Sequence, residues 1–494
     1  MAGTVVETRY GKVEGAEERS VLSWKGVPYA RPALGTLRFR PPQPPEPWSG
    51  VRPAQEFGPI CPQPMRPAGG ILPRFEYPQD EDCLTLNVWS PAADSARRPV
   101  MVWIHGGGFT SGSGRSPTNN GASFAARGDL VVVTFNYRLG LLGFLHLADM
   151  GGEAYAASGN CGILDQIAAL TWLRDNIAAF GGDPRRVTVF GESAGAMSVG
   201  TLMAAPAAQG LFQRAILESG AAHNALPRET ATATAERALA ELGIARDNLG
   251  ALADVPVARL LEVQTRLGQS AGGMVCQPVI DGVVLPERPI DAIAHGSAAG
   301  VATLIGTNRN ENKLFSAMAP GDDEARERRA AAQLGAHADR LLQGYRAANP
   351  NAATADIVDD ILTDRTFRIP AIRLAEQQAA HGAPVWMYRF DWQSPVRDGR
   401  LGAAHALEMP FVFNSINDGA YGDLTGTGPE RQTLADRMHD AWIAFARSGD
   451  PSTPALPAWP QYDNQRRATM VFDNICRLED DPQAAERKLW EGIL

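Results

Sequence analysis

The pentapeptide Gly191-Glu192-Ser193-Ala194-Gly195 has the pattern G-x-S-x-G of a nucleophilic serine. It follows a run of β-branched and aromatic residues, 187–190, and precedes a helix-like segment, 196–204. A tight turn between a strand and a helix projects the serine hydroxyl out of the backbone, and small flanking residues are needed to form it. The N-terminus of the following helix also favours nearby negative charge. This arrangement predicts that Ser193 is a nucleophile for acyl transfer.

A second motif, His105-Gly106-Gly107-Gly108-Phe109, follows the predicted strand Val100–Ile104. Successive glycines allow backbone N–H groups to point at a substrate oxygen with no side chain in the way. Such a segment forms part of the oxyanion hole in lipases and esterases. Together with the serine motif, it indicates an acyl-transfer site rather than a flexible glycine turn.

A serine nucleophile also needs a base and an acid that orients the base, and in this fold class both follow the serine in the chain. His405 lies in a predicted loop, which suits a mobile base, but position alone leaves the other downstream histidines open. Glu311 follows the short predicted strand Thr303–Gly306 and is one candidate acid among 55 carboxylates. The histidines after Ser193 are His223, His295, His337, His381, His405 and His439.

Short β-rich runs alternate with helical segments in the first 204 residues, which predicts an α/β fold with a large mixed, mainly parallel sheet flanked by helices. We expect a small N-terminal hairpin from Thr4–Glu7 and Gly11–Glu14, and one domain over residues 1–494. Two long segments, 64–79 and 417–429, are candidate active-site loops. The predicted strands are Thr85–Trp89, Val100–Ile104, Leu130–Phe135 and Arg186–Phe190, and the predicted helices are Ile163–Phe180 and Ala196–Ala204.

Composition excludes several classes of protein. The chain has 46 basic and 55 acidic residues and a net charge of −9, which argues against nucleic acid as a partner. It lacks the ~18 consecutive apolar residues of a membrane-spanning helix. The five cysteines show no metal-ligand spacing, so we expect no metal. The first residues do not resemble a secretory signal, which predicts a cytoplasmic protein unless a signal was removed.

Several longer motifs resemble the type-B carboxylesterase family, and within it the bacterial para-nitrobenzyl-esterase-like members. Residues 180–195 are similar to the active-site signature of that family, and residues 81–88 to its second signature. The similarity runs from about residue 11 to about residue 459. It also includes the segments 135–140, 159–160, 164–166 and 278–282. The resemblance implies an α/β-hydrolase fold and a cofactor-independent esterase.

The resemblance also assigns roles to individual residues. Ser193 matches the nucleophile, Glu311 matches the acid of a G-x-N-x-x-E segment, and His405 matches the base of an H-x-x-E-x-x-F-V-F segment. The residues that match the oxyanion-hole donors are Gly107, Gly108 and Ala194.

The family further implies that Ser219 and Asp364 belong to a buried network that supports the base. The alternative is that both residues only pack in the core. Asn312 and Glu218 depart from the family, which usually has Gly and often Gln at these positions. The family often joins the positions of Cys61 and Cys83 by a disulfide, which would close the loop at 64–79. Two reduced thiols are the alternative in a cytoplasmic protein.

We therefore expect hydrolysis of aryl and short-to-medium-chain carboxylic esters, and of tertiary-alcohol esters, through an acyl-enzyme. The small-molecule ester is the expected partner, and a monomer is favoured. Two alternatives stay open. One is amide or carbamate hydrolysis at the same site. The other is a non-catalytic binding protein of the same fold, against which the joint presence of Ser193, Glu311 and His405 speaks.

Overall fold

Strands and helices alternate along the chain in this computed structural model, which describes residues 3–65, 70–72, 74–271, 274–318, 323–418 and 421–494. The strands are β1 (Val5–Thr8), β2 (Gly11–Glu14), β3 (Ala16–Glu18), β4 (Val21–Pro28), β5 (Val51–Pro53), β6 (Thr85–Ser90), β7 (Arg98–Ile104), β8 (Val131–Phe135), β9 (Gly182–Glu192), β10 (Arg214–Glu218), β11 (Leu226–Pro227), β12 (Val279–Ile280), β13 (Ala302–Asn308), β14 (Val385–Phe390), β15 (Ala468–Phe472) and β16 (Arg477–Asp480).

Both helices predicted from the sequence are present, although residues 177–180 of the first form a 3-10 turn. The α-helices are α1 (Ala122–Gly128), α2 (Gly140–Phe144), α3 (Ala148–Gly151), α4 (Cys161–Asn176), α5 (Ala194–Ala204), α6 (Arg228–Leu242), α7 (Val257–Ala271), α8 (Pro289–Ala294), α9 (Asn312–Met318), α10 (Asp323–Leu334), α11 (Ala338–Ala348), α12 (Thr354–Thr363), α13 (Ile369–Ala380), α14 (Met409–Val412), α15 (Glu430–Ser448) and α16 (Ala484–Leu489). A π-helical segment, Asp364–Arg368, joins α12 to α13.

The chain divides into two compact units. The first comprises residues 1–66, 75–216 and 222–301, and the second comprises residues 67–74, 217–221 and 302–494. The single-domain organisation expected from the sequence remains a prediction. Both predicted loops, 64–79 and 417–429, lie partly outside the described residues. The remainder of the second loop contains a short 3-10 helix, Gly422–Thr425.

In the first unit, strands are ordered β3-β4-β6-β8-β7-β9, with β10 next to β9. The β8-β7 and β7-β9 pairs are parallel, whereas β3-β4, β4-β6 and β6-β8 are antiparallel. All five residues of β8 are buried, as expected for a strand covered on both faces. Helices α4 and α5 pack beside β9. The predicted N-terminal hairpin is present as the antiparallel pair β1-β2.

In the second unit, strands β13, β14 and β15 are parallel neighbours and β16 pairs antiparallel with β15. Helix α13 packs against β13 and β14. Both units therefore combine parallel and antiparallel strands with flanking helices, as in the predicted α/β-hydrolase fold. Among the helices that the structure describes, none combines the length and apolar character needed to cross a membrane.

Candidate active site

Ser193 occupies a turn between the end of β9 at Glu192 and the start of α5 at Ala194. Its backbone has φ +56° and ψ −126°, a conformation that is strained for a residue with a side chain. The turn leaves no space beside its glycines, since a Cβ on Gly195 would lie 2.0 Å from the carbonyl oxygen of Ile104. The G-x-S-x-G pattern is thus a steric requirement of this strand-turn-helix junction.

The triple-glycine segment follows β7 and lies next to this turn. A Cβ on Gly106 would be 3.0 Å from the Cβ of Ser193, so the two motifs are in contact within the first unit. Gly107 has φ +109°, and a Cβ there would lie 2.2 Å from the carbonyl oxygen of Ser111. Only glycine fits at this position. The glycine segment therefore contacts the serine turn at Gly106, where it presents no side chain.

His105 is buried and stabilises the start of the glycine segment. Its ring stacks on Tyr137 with a centroid distance of 4.4 Å, and the Tyr137 hydroxyl donates to the His105 carbonyl oxygen at 2.9 Å. Burial lowers the pKa of His105 to about 4. The imidazole is therefore neutral at physiological pH and acts as a packing group.

Glu311 and His405 meet in the second unit. The Nδ1 atom of His405 lies 2.7 Å from Oε2 of Glu311, and the Glu311 side chain is completely buried. The other carboxylate oxygen, Oε1, accepts from the Ser219 hydroxyl at 2.5 Å and from the Asn308 backbone N–H at 2.7 Å. Both oxygens of the acid are therefore occupied, and its orientation toward His405 is fixed.

Two asparagines join the loop that carries Glu311 to the loop that carries His405. The Asn308 side-chain amide donates to the Ala404 carbonyl oxygen at 2.7 Å and also to Glu408. The Asn310 backbone N–H donates to the Ala403 carbonyl oxygen at 2.9 Å, and its side-chain oxygen accepts from the Ala403 N–H at 3.2 Å. These bonds fix the chain on both sides of His405.

Two aromatic rings contact the His405 imidazole. Phe367 lies 4.7 Å and Phe315 lies 5.0 Å from its ring centroid, and the two phenyl rings stack on each other at 6.0 Å. Phe315 is 37% exposed, so one side of this aromatic pair is open to solvent. Sequence patterns gave no role to Phe315, Phe367, Asn308 or Asn310. The only sequence feature that pointed to Asn308 was its place in the G-x-N-x-x-E segment.

Asp364, which the family resemblance placed in the network supporting the base, binds other groups. Its carboxylate accepts from the Arg368 Nε and Nη2 atoms at 2.6 Å each, and from the Tyr345 hydroxyl. These partners tie the π-helical segment to α11. Ser219, the other residue of the predicted network, contacts Glu311 directly.

Cys61 and Cys83 are buried free thiols in the structure. A hydrogen bond to Cys61 and burial raise the pKa of Cys83 well above its usual value. The bridge expected from the resemblance is thus not formed here, although the two side chains meet. Each thiol instead stays within a close-packed core, where Leu139 donates its backbone N–H to the Cys61 sulfur at 3.3 Å.

Known proteins resemble this chain over nearly its whole length. The model of the carboxylesterase family matches residues 2–490. The chain is 44% identical to the para-nitrobenzyl esterase of Bacillus subtilis, over 99% of this chain and 98% of that protein. It is 36% identical to the phenmedipham hydrolase of Pseudarthrobacter oxydans, over 94% of each.

Solved structures give the same result. A carboxylesterase of Geobacillus stearothermophilus matches with a TM-score of 0.90 and 46% identity, over 99% of this chain and 100% of that one. A structure of a PNB esterase matches with a TM-score of 0.87 and 42% identity, over the same shares of the two chains. The chain belongs to the carboxylesterase family and is a serine hydrolase of carboxylic esters with the α/β-hydrolase fold.

Proposed function

We propose that Ser193, His405 and Glu311 form the catalytic triad of this esterase. The observation that carries the proposal is the 2.7 Å hydrogen bond between His405 Nδ1 and the buried carboxylate of Glu311. An imidazole that donates Nδ1–H to a carboxylate presents a basic Nε2 atom to a serine hydroxyl. The strained turn at Ser193 supports its role as the nucleophile.

The reaction then has two halves. Ser193 Oγ attacks the ester carbonyl as His405 Nε2 takes its proton, and the alcohol leaves with that proton as the acyl-enzyme forms. Water next attacks the acyl-enzyme, with His405 again acting as base, and releases the carboxylic acid. Glu311 stabilises the imidazolium in both halves. The backbone N–H groups of Gly107, Gly108 and Ala194 are the proposed donors to the tetrahedral oxyanion.

For the substrates, we propose aryl and short-to-medium-chain esters. The exposed Phe315 ring beside His405 supports aryl groups, since a flat ring can stack on it. The glycine segment supports esters of branched alcohols, because it places no side chain beside the serine. Comparing the cleavage of tert-butyl acetate and n-butyl acetate tests whether branched alcohols are accepted. If active enzyme does not detectably cleave the tertiary ester, other residues around the site exclude it.

Amide or carbamate hydrolysis remains the alternative chemistry. The two reactions differ in the leaving group, so a panel of matched aryl esters, anilides and carbamates separates them. We expect the ester to give the highest kcat/KM by several orders of magnitude, since an alcohol leaves more readily than an amine.

A covalent label tests the nucleophile directly. A fluorophosphonate should add one phosphonyl group at Ser193, located by mass spectrometry of peptides, and should abolish cleavage of para-nitrophenyl acetate. Ser193→Ala should lower kcat by about 10⁶-fold, as in other serine-triad enzymes. Ser198→Ala, on the same helix, is the control. Labelling at another serine would contradict the assignment.

We also propose a monomeric, cytoplasmic enzyme. Five buried free thiols support a reducing compartment, where disulfides are rare. Cell fractionation and analytical ultracentrifugation test the location and the oligomeric state.

A further inference from the structure

A cavity in the second unit lies between helix α13 and strands β13, β14 and β15, and has no part in the proposed mechanism. Its volume is about 20 Å³, which exceeds the ~10–15 Å³ that one water molecule needs on the same measure. Ile372 and Met387 contribute apolar walls, and Arg368, Arg389, Arg467 and Tyr462 contribute polar ones. The cavity therefore has room for a molecule or ion of only a few atoms.

Tyr462 is a hydrogen-bond donor without an acceptor at this cavity. The residue is 4% exposed, and its hydroxyl has no hydrogen-bond partner among the described residues. Burial, and then the nearby carboxylate of Glu376, raise the pKa of Tyr462 above its usual range. The phenol is therefore protonated, and its O–H group can donate a hydrogen bond to a molecule or ion in the cavity.

Arg467 adds a second such donor. Its Nη2 atom binds Glu376 at 2.8 Å and its Nη1 atom binds the Asn464 carbonyl oxygen. The buried Nε–H has no acceptor within the described part of the chain. Because a buried donor without an acceptor is costly, two of them on one cavity indicate a missing acceptor.

The other polar groups that line the cavity also offer hydrogen-bond donors rather than acceptors. Arg389 uses Nε and Nη2 on Asp391, while its Nη1 has only a long contact of 3.5 Å with Gln483. The carboxylate in the lining, Asp481, has both oxygens bonded to Arg487 at 2.8 Å. The lining therefore offers spare N–H and O–H groups, whereas its carboxylate acceptor is already occupied.

We propose that this cavity binds a small monovalent anion of the size of chloride, which accepts hydrogen bonds from Tyr462 Oη and Arg467 Nε. The small volume excludes phosphate and sulfate. The nearby carboxylates of Glu376 and Asp481 disfavour a multiply charged anion. The apolar walls suit a halide, which is more weakly hydrated than those ions. Gly306 and Thr307 of β13 also line the cavity, so the anion contacts the strand that leads to Glu311.

Bromide is the probe for this site, because it replaces chloride and scatters X-rays anomalously. Crystals of the full chain soaked in sodium bromide should show an anomalous peak between Tyr462 Oη and Arg467 Nε. In solution, chloride and bromide should raise the melting temperature saturably at constant ionic strength, with gluconate as the balancing anion. A water molecule at this place, with no anomalous peak at high bromide, would overturn the proposal.

Variants connect the two measurements. Tyr462→Phe keeps the ring but removes the donor, and it should weaken the halide response at least tenfold and abolish the peak. Arg466→Gln is the control, since Arg466 is 49% exposed and pairs with Asp480 outside the cavity. It should leave both readouts unchanged. An equal halide response in wild type and Tyr462→Phe would place halide binding elsewhere and contradict the proposal.

Discussion

The Ser219 hydroxyl donates a 2.5 Å hydrogen bond to Oε1 of Glu311, the carboxylate oxygen that does not face His405. Ser219 has φ +54°, so its backbone is strained at this point. The Asn308 N–H binds the same oxygen. These two donors fix Glu311 through Oε1, so that Oε2 is available to the imidazole.

Replacing Ser219 by Ala should lower kcat by about 10- to 100-fold and leave KM nearly unchanged, because a hydrogen bond to a charged group contributes about 1.5–3 kcal/mol. Steady-state kinetics with para-nitrophenyl acetate measure the change. Ser394→Ala, at another buried serine that donates to a backbone carbonyl, is the control and should affect stability alone. Equal effects of both variants on kcat would show that Ser219 has only a structural role.

Asn308→Ala should lower kcat by about tenfold, since it removes the side-chain bonds to Ala404 and Glu408 that fix the chain on both sides of His405. We expect phosphonylation of Ser193 to slow to the same extent, while the melting temperature of the variant distinguishes misfolding from mispositioning. Asn414→Ala is the matched control, because the Asn414 side-chain amide also donates to a carboxylate, that of Asp436. An unchanged kcat in soluble Asn308→Ala protein would contradict this role.

The rate should fall as pH falls, because only a neutral imidazole at His405 can accept the serine proton. Once most of the imidazole is protonated, kcat/KM should decrease about tenfold for each further pH unit. A profile from pH 5 to 8 with a neutral ester checks this. A flat profile across that range would contradict the proposed base.

Asp360 should make the second unit less stable at alkaline pH. Burial, followed by the charges of Asp364 and Asp356, raises the pKa of Asp360 to about 7 in the folded protein, despite Lys313 and Arg309 nearby. An unfolded aspartate has a pKa of about 3.9. The folded state therefore binds more protons between these values, and stability is lost as pH rises through about 7.

Asp360→Asn should consequently raise the free energy of unfolding by about 1–2 kcal/mol at pH 8, with little change at pH 4. Melting temperatures at the two pH values measure this difference. Asp356→Asn, on the same helix but 49% exposed and paired with Lys313, should not stabilise the protein at pH 8. A variant whose gain is the same at both pH values would show that charge is not the cause.

The native protein should react with less than about one equivalent of a thiol reagent at pH 8, because thiolates are the reactive species. All five cysteines are buried, and burial raises the pKa of Cys161 to about 11 and that of Cys276 to about 12. After denaturation without reductant, five thiols should be titrated. Three would show that Cys61 and Cys83 do form the disulfide that the family resemblance implies.

Local patterns predicted the elements that position the serine. The strand-turn-helix junction at Ser193 depends on neighbours close in sequence, and its glycines are required by contacts that any such turn makes. The predicted strand Thr85–Trp89 forms the first five residues of β6. Helix α4 begins two residues before the predicted helix Ile163–Phe180, whose last four residues form a 3-10 turn. Periodicity is a property of neighbouring residues, so the sequence displays it directly.

The support of Glu311 could not be predicted in this way. Ser219 and Asn308 are separated from their partners Glu311 and Glu408 by 92 and 100 residues. Phe367, in the π-helical segment, contacts His405, which lies in a distant part of the chain. Asp364, which shares that segment, binds Arg368 four residues along instead of the base network.

The sequence by itself therefore determined the carboxylesterase family, the α/β class and the chemical types of the reacting groups, because local geometry and motif spacing carry that information. Only the tertiary structure decided which oxygen of Glu311 faces His405, which side chains hold it there, and which buried donors have no acceptor among the described residues. Those features depend on contacts between residues distant in the chain, which form only when the core packs.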